Sequence, residues 1–118
     1  MVNNKLLGAR GEDIAARYLA ARGYRIRERN FRCRLGEIDV VAEDGGVLVF
    51  VEVKARRSGR FGLPQEAVTP LKQARLRRLA QYYLLTHGGL ERPCRFDVLA
   101  VTFGPGGEAK AELIRGAF

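Results

Sequence analysis

The stretch that decides the fold covers residues 36–56, GEIDVVAEDGGVLVFVEVKAR. Two runs rich in β-branched residues flank Asp44, Gly45 and Gly46, which is the turn chemistry of a β-hairpin. The second run, residues 47–53, is apolar at both odd and even positions, which is typical of a strand covered on both faces. The sequence therefore predicts an antiparallel hairpin whose second strand lies inside the sheet.

Charged residues on this hairpin are predicted to share one face of the sheet. Glu52 and Lys54 lie two positions apart on the second strand, so their side chains point the same way. A two-residue glycine turn places Asp39 directly opposite Glu52, and a turn one residue earlier places the two acids diagonally on the same face. Only an odd-numbered loop would separate them.

Two carboxylates this close repel each other unless a cation lies between them. Mg²⁺, which proteins hold with one or two carboxylates plus waters and substrate phosphate, fits such a pair, with Mn²⁺ as its substitute. We therefore expect Asp39 and Glu52 to bind the metal. Lys54 would lie beside the ion, where an ammonium group orients an attacking water and neutralises developing charge.

A purely structural interpretation of these charges stays open. In it, Glu37 pairs with Lys54, and Asp39 or Glu52 pairs with a nearby arginine. Burial of a carboxylate costs several kcal/mol unless it is compensated, so either a cation or such ion pairs must accompany the acids.

Length and composition predict one domain, residues 1–118, with one ordinary core. The chain is 47% hydrophobic and 29% charged, and no apolar run approaches the roughly 20 residues that span a bilayer. Acidic Glu12 and Asp13 occur before an apolar signal-peptide region could form, so we expect a cytoplasmic protein without a membrane partner.

Rare residue types exclude several kinds of chemistry. The chain has one serine, Ser58, and one histidine, His87, in unrelated segments, which argues against a catalytic triad. Cys33 and Cys94 lack the spacing of a structural zinc site and are expected to be free thiols.

The charge balance favours a polyanionic partner. The chain has 21 Lys and Arg against 13 Asp and Glu, a formal net charge of +8 and a pI of about 10.2. Most of these cations are arginines, whose planar fork matches phosphate oxygens. Nucleic acid is the natural candidate.

The other elements follow from hydrophobic period and punctuation. Residues 6–22 are predicted to form a helix, residues 24–32 a half-exposed strand with a basic face, and residues 94–103 and 109–115 two further strands. Thr69 and Pro70 are predicted to cap and begin a second helix that ends at Gly88. Its predicted apolar stripe consists of Leu76, Leu79, Ala80, Tyr83 and Leu84. The predicted order is αβββαββ, an α+β domain with a mixed sheet.

Several motifs resemble a known family. Residues 36–56 resemble the D…ExK core of the restriction-endonuclease-like (PD-(D/E)xK) nuclease superfamily, and the order of elements is similar to archaeal-type Holliday junction resolvases. The motifs GxxGEDxAARYL, RNFRCRLGEID, VFVEVKAR, FGLPQEAVT and RFDV together resemble the YraN family of small bacterial proteins. This resemblance extends over residues 8–101.

The resemblance implies a restriction-endonuclease-like core, an α/β sandwich in which helices flank a mixed central sheet. It also matches Asp39 and Glu52 to metal-binding acids, Lys54 to the motif lysine, and Glu12 to a first-helix glutamate that joins the catalytic site. Ile38 stands where the superfamily motif has proline. Glu12 shares an inward helix face with two alanines and a leucine; alternatively, it is a carboxylate favoured near a helix N-terminus.

Basic residues flank the predicted site and are expected to contact a nucleic-acid backbone without reading sequence. They precede the Asp39 strand, follow the Glu52 strand and begin the second helix: Arg32, Arg34, Arg56, Arg57, Arg60 and Lys72. Lys72 and its neighbour Gln73 either reach the site or a phosphate, or form a solvated first turn.

We therefore expect a Mg²⁺-dependent endonuclease that hydrolyses phosphodiester bonds in DNA, preferentially structured or branched DNA, and that acts as a monomer or a homodimer. One alternative is a nucleic-acid-binding module with a vestigial acidic pocket. Another is a scaffold or dimerisation protein whose basic charge serves solubility.

Overall fold

The computed structural model describes residues 4–59, 63, 66 and 68–118. In chain order its elements are α1 (Asn4–Ala21), β1 (Arg25–Cys33), β2 (Gly36–Asp44), β3 (Val47–Arg57), α2 (Pro70–His87), β4 (Cys94–Phe103) and β5 (Ala109–Ile114). The predicted α+β class and the order αβββαββ are confirmed. The predicted boundaries lie within two residues of the observed ones, except that β3 continues four residues beyond the predicted run 47–53. Neither helix in the described part of the chain is both long and apolar enough to cross a bilayer.

The five strands form one sheet in the order β1-β2-β3-β4-β5. All neighbours are antiparallel except β3 and β4, which run parallel, so the sheet is mixed and β3 is its central strand, as predicted. Asp44 lies opposite Val47, which leaves Gly45 and Gly46 as the two-residue turn. Both glycines have positive φ, 56° and 90°, as this kind of hairpin turn requires.

The helices cover opposite faces of the sheet and produce two core clusters. The cluster on the α1 face consists of Leu7, Ala15, Leu19, Tyr24, Val40, Ala42, Val49, Val51, Leu99, Val101 and Phe103. The cluster on the α2 face consists of Phe31, Ile38, Val41, Leu48, Phe50, Val68, Leu76, Leu79, Ala80, Tyr83, Leu84 and Val98. Strand β3 contributes to both clusters, which explains why its apolar residues occupy both parities.

Helix α2 begins and ends where the local sequence predicts. The hydroxyl of Thr69 accepts a hydrogen bond from the Lys72 backbone N–H, Pro70 occupies the first turn, and Gly88 follows the last residue with φ 76°. Its buried residues are the predicted stripe, Leu76, Leu79, Ala80, Tyr83 and Leu84.

Helix α1 approaches β3 closely at Gly11. A Cβ atom at this position would lie 2.7 Å from the Cβ of Ala55, closer than two carbons can approach. Only glycine therefore allows this contact without a shift. The residues on either side, Arg10 and Glu12, are held beside the carboxyl-terminal half of β3 as a result.

Strand β1 departs from the regular alternation that its sequence predicts. The pairing with β2 shifts between Ile26 and Glu28, and Asn30 has a φ of 54°. Asparagine tolerates this left-handed conformation better than most residues. The two irregularities allow Phe31 to pack against α2 while Asn30 faces the other side, toward Glu12 of α1.

Candidate active site

The ladder between β2 and β3 ends at one end of the sheet. Paired residues run from the glycine turn as far as Val40 and Val51. At the next position Oδ2 of Asp39 accepts a hydrogen bond from the Val53 backbone N–H at 2.8 Å. The ladder therefore stops one pair before Asp39 and Glu52, and the Asp39 carboxylate satisfies a backbone donor that the ladder no longer reaches.

Both hairpin acids open to one cavity of about 320 Å³ between this end of the sheet and α2. Its lining contains Asp39 and Glu52 together with Glu37, Lys72 and Arg75; the remaining lining residues are Leu35, Gly36, Leu76 and Leu79. The prediction that the two acids reach a common pocket agrees with this geometry. The cavity is lined by three carboxylates and two cationic side chains.

The environment of Asp39 disfavours a negative charge. Burial, followed by the adjacent carboxyl of Glu52, raises the pKa of Asp39 to about 8, while the Val53 N–H and the Lys54 charge act in the opposite direction. Among the described residues, neither acid forms an ion pair with an arginine or lysine. In the absence of a cation, the Asp39 carboxyl therefore keeps its proton to a higher pH than an ordinary aspartate does.

The ion pair of Glu37 differs from the one that the structural interpretation predicted. Its ion pair is with Arg32, at 3.3 Å, across β1 and β2, rather than with Lys54. Its carboxylate also faces two other acids: oxygens of Glu12, Glu37 and Asp39 all lie within 4.8 Å of one another. This spacing is suitable for carboxylates that share one divalent cation.

Glu12 reaches the site from the third turn of α1. Burial is the largest cause that raises its pKa, and the charges of Asp39 and Glu37 add to this effect. Because α1 already begins at Asn4, Glu12 lies too far along the helix for the alternative role at a helix N-terminus. The inward orientation is the one observed.

Asn30 is a member of the site that the sequence analysis missed. With its amide oriented to satisfy the local hydrogen-bond network, its nitrogen donates to Glu37 at 2.8 Å and to Glu12 at 3.1 Å. It therefore holds two of the three clustered acids in place. An asparagine in the middle of a strand, where this residue type is depleted, was the available signal.

The predicted lysines lie next to each other. The charge of Lys54 lowers the pKa of Asp39, and its ammonium group beside Lys72 lowers the pKa of that lysine. Lys72 thus reaches the site instead of forming only a solvated first turn. Gln73 does not: its amide donates to the backbone oxygen of Val68 at 3.0 Å.

The predicted backbone-binding arginines are dispersed. Arg34 is exposed in the β1–β2 turn, and Nε of Arg56 donates to the Thr102 hydroxyl at 3.2 Å. Arg57 lines a different cavity, described below, and Arg60 lies outside the described residues. Arg75, which lines the acidic cavity, was not predicted.

Asp97 is a buried acid with a structural role. It is fully buried and accepts hydrogen bonds from Arg95 at 2.9 Å, the Tyr24 hydroxyl at 3.1 Å and the Gly116 backbone N–H at 2.9 Å. These three donors, one of them a guanidinium group, stabilise the negative charge of Asp97. Asp39, in contrast, has no arginine or lysine partner among the described residues. Cys33 and Cys94 are free thiols, as predicted.

Sequence comparison identifies the family. Residues 11–101 match the model of "Uncharacterised protein family UPF0102". A UPF0102 protein of Symbiobacterium thermophilum is 56% identical over 115 residues, 98% of this chain and 98% of that protein. A UPF0102 protein of Geobacter sulfurreducens is 52% identical over 98% of this chain and 91% of that protein. One of Syntrophus aciditrophicus is 51% identical over 100% of this chain and 92% of that protein. The chain therefore belongs to the UPF0102 family, which is the YraN-like family that its motifs resemble.

Proposed function

We propose that this protein is a Mg²⁺-dependent endonuclease that hydrolyses phosphodiester bonds in DNA, with structured or branched DNA as its preferred substrate. The observation that carries the proposal is the acidic cluster: carboxylates from α1, β2 and β3 converge at the end of the sheet, and the described residues supply no arginine or lysine that pairs with Asp39 or Glu52.

The donor set fits magnesium. Glu12, Glu37 and Asp39 supply oxygens within 4.8 Å of one another, and Glu52 lies beside Asp39. Hard oxygen ligands with space for water and phosphate are what Mg²⁺ requires. When bound, the ion would supply positive charge to a phosphoryl oxygen and lower the pKa of a water molecule.

The protein groups have separate tasks in this proposal. Asp39 and Glu52 hold the ion, Glu12 and Glu37 complete the acidic wall, and Asn30 keeps the last two acids oriented. The Lys54 ammonium orients the attacking water and offsets charge that develops on the phosphate.

Two lysines and the dispersed arginines support a nucleic-acid substrate. Lys54 and Lys72 place two like charges side by side, an arrangement that a bound phosphate would relieve. The whole chain carries a net charge of +8 despite its acidic pocket. Phosphate contacts of this type give affinity without sequence specificity.

A cleavage assay tests the proposal. The substrates are a four-way junction, a 5′ flap, a duplex and a single strand, each incubated with Mg²⁺ or Mn²⁺ and with chelator. We expect divalent-dependent cleavage of a branched substrate by the wild type. The variants Asp39→Asn and Glu52→Gln should abolish cleavage and retain binding. Glu112→Gln, an exposed acid on β5, is the matched charge control and should cleave normally.

The same assay separates the alternatives. Salt-sensitive binding without cleavage of any substrate would favour a binding module, whose support is the cationic surface outside the acidic cluster. A protein that binds neither DNA nor RNA would leave only the scaffold function.

A further inference from the structure

A second cavity, of about 430 Å³, lies at the carboxyl ends of the two parallel strands, separate from the acidic one. Arg57 at the end of β3 is paired with Phe103 at the end of β4, and the Ser58 backbone N–H donates to the Phe103 oxygen at 2.8 Å. The first turns of α1 and the β4–β5 turn form its other walls. Its described lining consists of Leu7, Arg10, Arg57, Ser58, Phe103, Gly104, Pro105 and Gly107.

The lining has a positive charge. Arg10 and Arg57 are its charged members, and none of its described lining residues is acidic. Its volume lies within the range of pockets that hold small ligands. The N–H groups of Gly104 and Gly107 are engaged within the β4–β5 turn, so the donors of this pocket are side chains. Two guanidinium groups and a hydroxyl are suited to a phosphate group and the sugar attached to it.

Arg10 is held in place before any ligand arrives. Its guanidinium carbon lies 5.0 Å from the centroid of the Phe103 ring, in cation–π contact. This contact favours the position of the guanidinium beside the cavity, so less side-chain entropy is lost when a phosphate binds.

This cavity adjoins the acidic site along the seam between α1 and β3. Leu7 lines both it and a smaller cavity of about 240 Å³ that contains Glu12 and Lys54. Arg57 lies three residues beyond Lys54 on β3, about 10 Å along the strand. The close contact at Gly11 places Arg10 and Glu12 on neighbouring parts of this seam.

We infer that the cavity of Arg10 and Arg57 is a second phosphate subsite, which binds a backbone phosphate of the nucleic-acid strand a few nucleotides from the bond at the acidic cluster. The inference rests on the proposed function in that the ligand is a nucleic acid. The subsite gives the strand a direction across the protein, from the acidic cluster along α1 to the β4–β5 turn.

A binding experiment in chelator tests the subsite without requiring cleavage. The dissociation constant of a labelled four-way DNA junction is measured against NaCl concentration for the wild type, Arg10→Ala and Arg22→Ala. Arg22 is the matched control because it is also an exposed arginine whose guanidinium lies over a ring, 4.5 Å from the centroid of Tyr18, but at the other end of α1.

Loss of one phosphate contact lowers the slope of log K against log salt by about 0.9. We expect this decrease, with about tenfold weaker binding, for Arg10→Ala and a smaller effect for Arg22→Ala. Arg57→Ala should resemble Arg10→Ala. In NMR spectra, the amide signals of Gly104 and Gly107 should shift when thymidine tetranucleotide is added to the wild type and to Arg22→Ala, and stay unchanged in Arg10→Ala.

Equal slopes for Arg10→Ala and Arg22→Ala, or glycine signals that do not respond in the wild type, would overturn the subsite and leave the proposed nuclease site intact. A wild-type protein that binds no nucleic acid would overturn both. Loss of cleavage in Asp39→Asn together with a lower salt slope for Arg10→Ala than for Arg22→Ala would support both.

Discussion

The carboxylate of Asp39 accepts a hydrogen bond from the backbone N–H of Val53 at the position where the ladder between β2 and β3 ends. This contact holds the acid at the end of the β2–β3 ladder, where its carboxyl lies beside that of Glu52. Asp39 therefore has two tasks: it completes the hydrogen bonding of the sheet end, and it contributes to a cluster of acids whose mutual repulsion destabilises the protein without a cation.

The first prediction concerns stability and pH. Because the folded-state pKa of Asp39 is raised to about 8 from an ordinary 3.8, the folded protein binds more protons than the unfolded chain between these values. Stability contributed by this site therefore falls as pH rises through that window. In chelator at pH 8, Asp39→Asn should raise the melting temperature by about 3–8 °C, since asparagine still accepts from Val53.

Calorimetry at pH 5 and pH 8 checks this expectation, with Glu112→Gln as the control. The gain from Asp39→Asn should be smaller at pH 5, where the wild-type acid is protonated. A lower melting temperature for Asp39→Asn at pH 8 would contradict the prediction.

The second prediction concerns the metal. An ion that binds between Asp39 and Glu52 must displace the proton of Asp39, whose pKa is raised to about 8, so Mn²⁺ affinity should rise by about tenfold per pH unit between pH 6 and 8 and level off above that. Isothermal titration calorimetry of the wild type measures this dependence. Asp39→Asn should remove the binding, and pH-independent affinity from 6 to 8 would argue against the site.

The third prediction concerns Lys54. Its ammonium group is placed to stabilise charge in the transition state, so Lys54→Gln should slow cleavage by about 10²–10³-fold with little change in junction affinity. Single-turnover kinetics separate the two effects. Lys110→Gln, an exposed lysine on β5, removes the same charge elsewhere and should leave the rate unchanged.

The fourth prediction contrasts two glycines of α1. Gly11→Ala forces a Cβ against Ala55 and should lower the free energy of unfolding by about 1–2 kcal/mol. Gly8→Ala meets no atom within 4 Å and should raise it by about 0.5–1 kcal/mol, because alanine favours a helix. Urea denaturation measures both changes. A stabilised Gly11→Ala variant would contradict the prediction, because it would show that α1 shifts away from β3 at little cost.

The fifth prediction contrasts two acids. Asp97 is buried with a full set of partners. Asp97→Ala removes the acceptor of the Tyr24 hydroxyl and the Gly116 N–H and leaves Arg95 with Asp44 as its remaining carboxylate, so it should destabilise the protein by about 3–5 kcal/mol. The effect has the opposite sign to that of Asp39→Asn in chelator. If both variants shift the melting temperature in the same direction, the two acids do not differ as the structure indicates.

Local patterns were sufficient to predict the elements. The glycine turn set the register of β2 and β3, and the stripe of α2 was read from its 3.6-residue period, since both depend on neighbours in the chain. The same arithmetic brought Asp39 and Glu52 together, although it did not predict that the ladder ends before them.

Residues distant in the chain were harder to predict. Asn30 hydrogen-bonds to two of the acids because the irregular β1 turns its side chain toward α1. Arg10 and Arg57 line the same cavity because Gly11 allows α1 to approach β3 closely. The local sequence around Asn30 or Arg10 does not indicate which distant residues either one will lie beside. Arg32 and Arg56, conversely, were predicted from charge alone to bind a backbone, and they contact Glu37 and Thr102 within the protein.

The sequence by itself determined the order of strands and helices, the central position of β3 and the face on which its charges lie, since these follow from side-chain periodicity and turn chemistry. Only the tertiary structure decided which acids converge, which cations compensate them and which do not. Those outcomes depend on how two helices approach one end of the sheet. The side-chain periodicity of a helix or strand shows which of its faces is buried, but it does not show how close that element lies to another one far away in the chain.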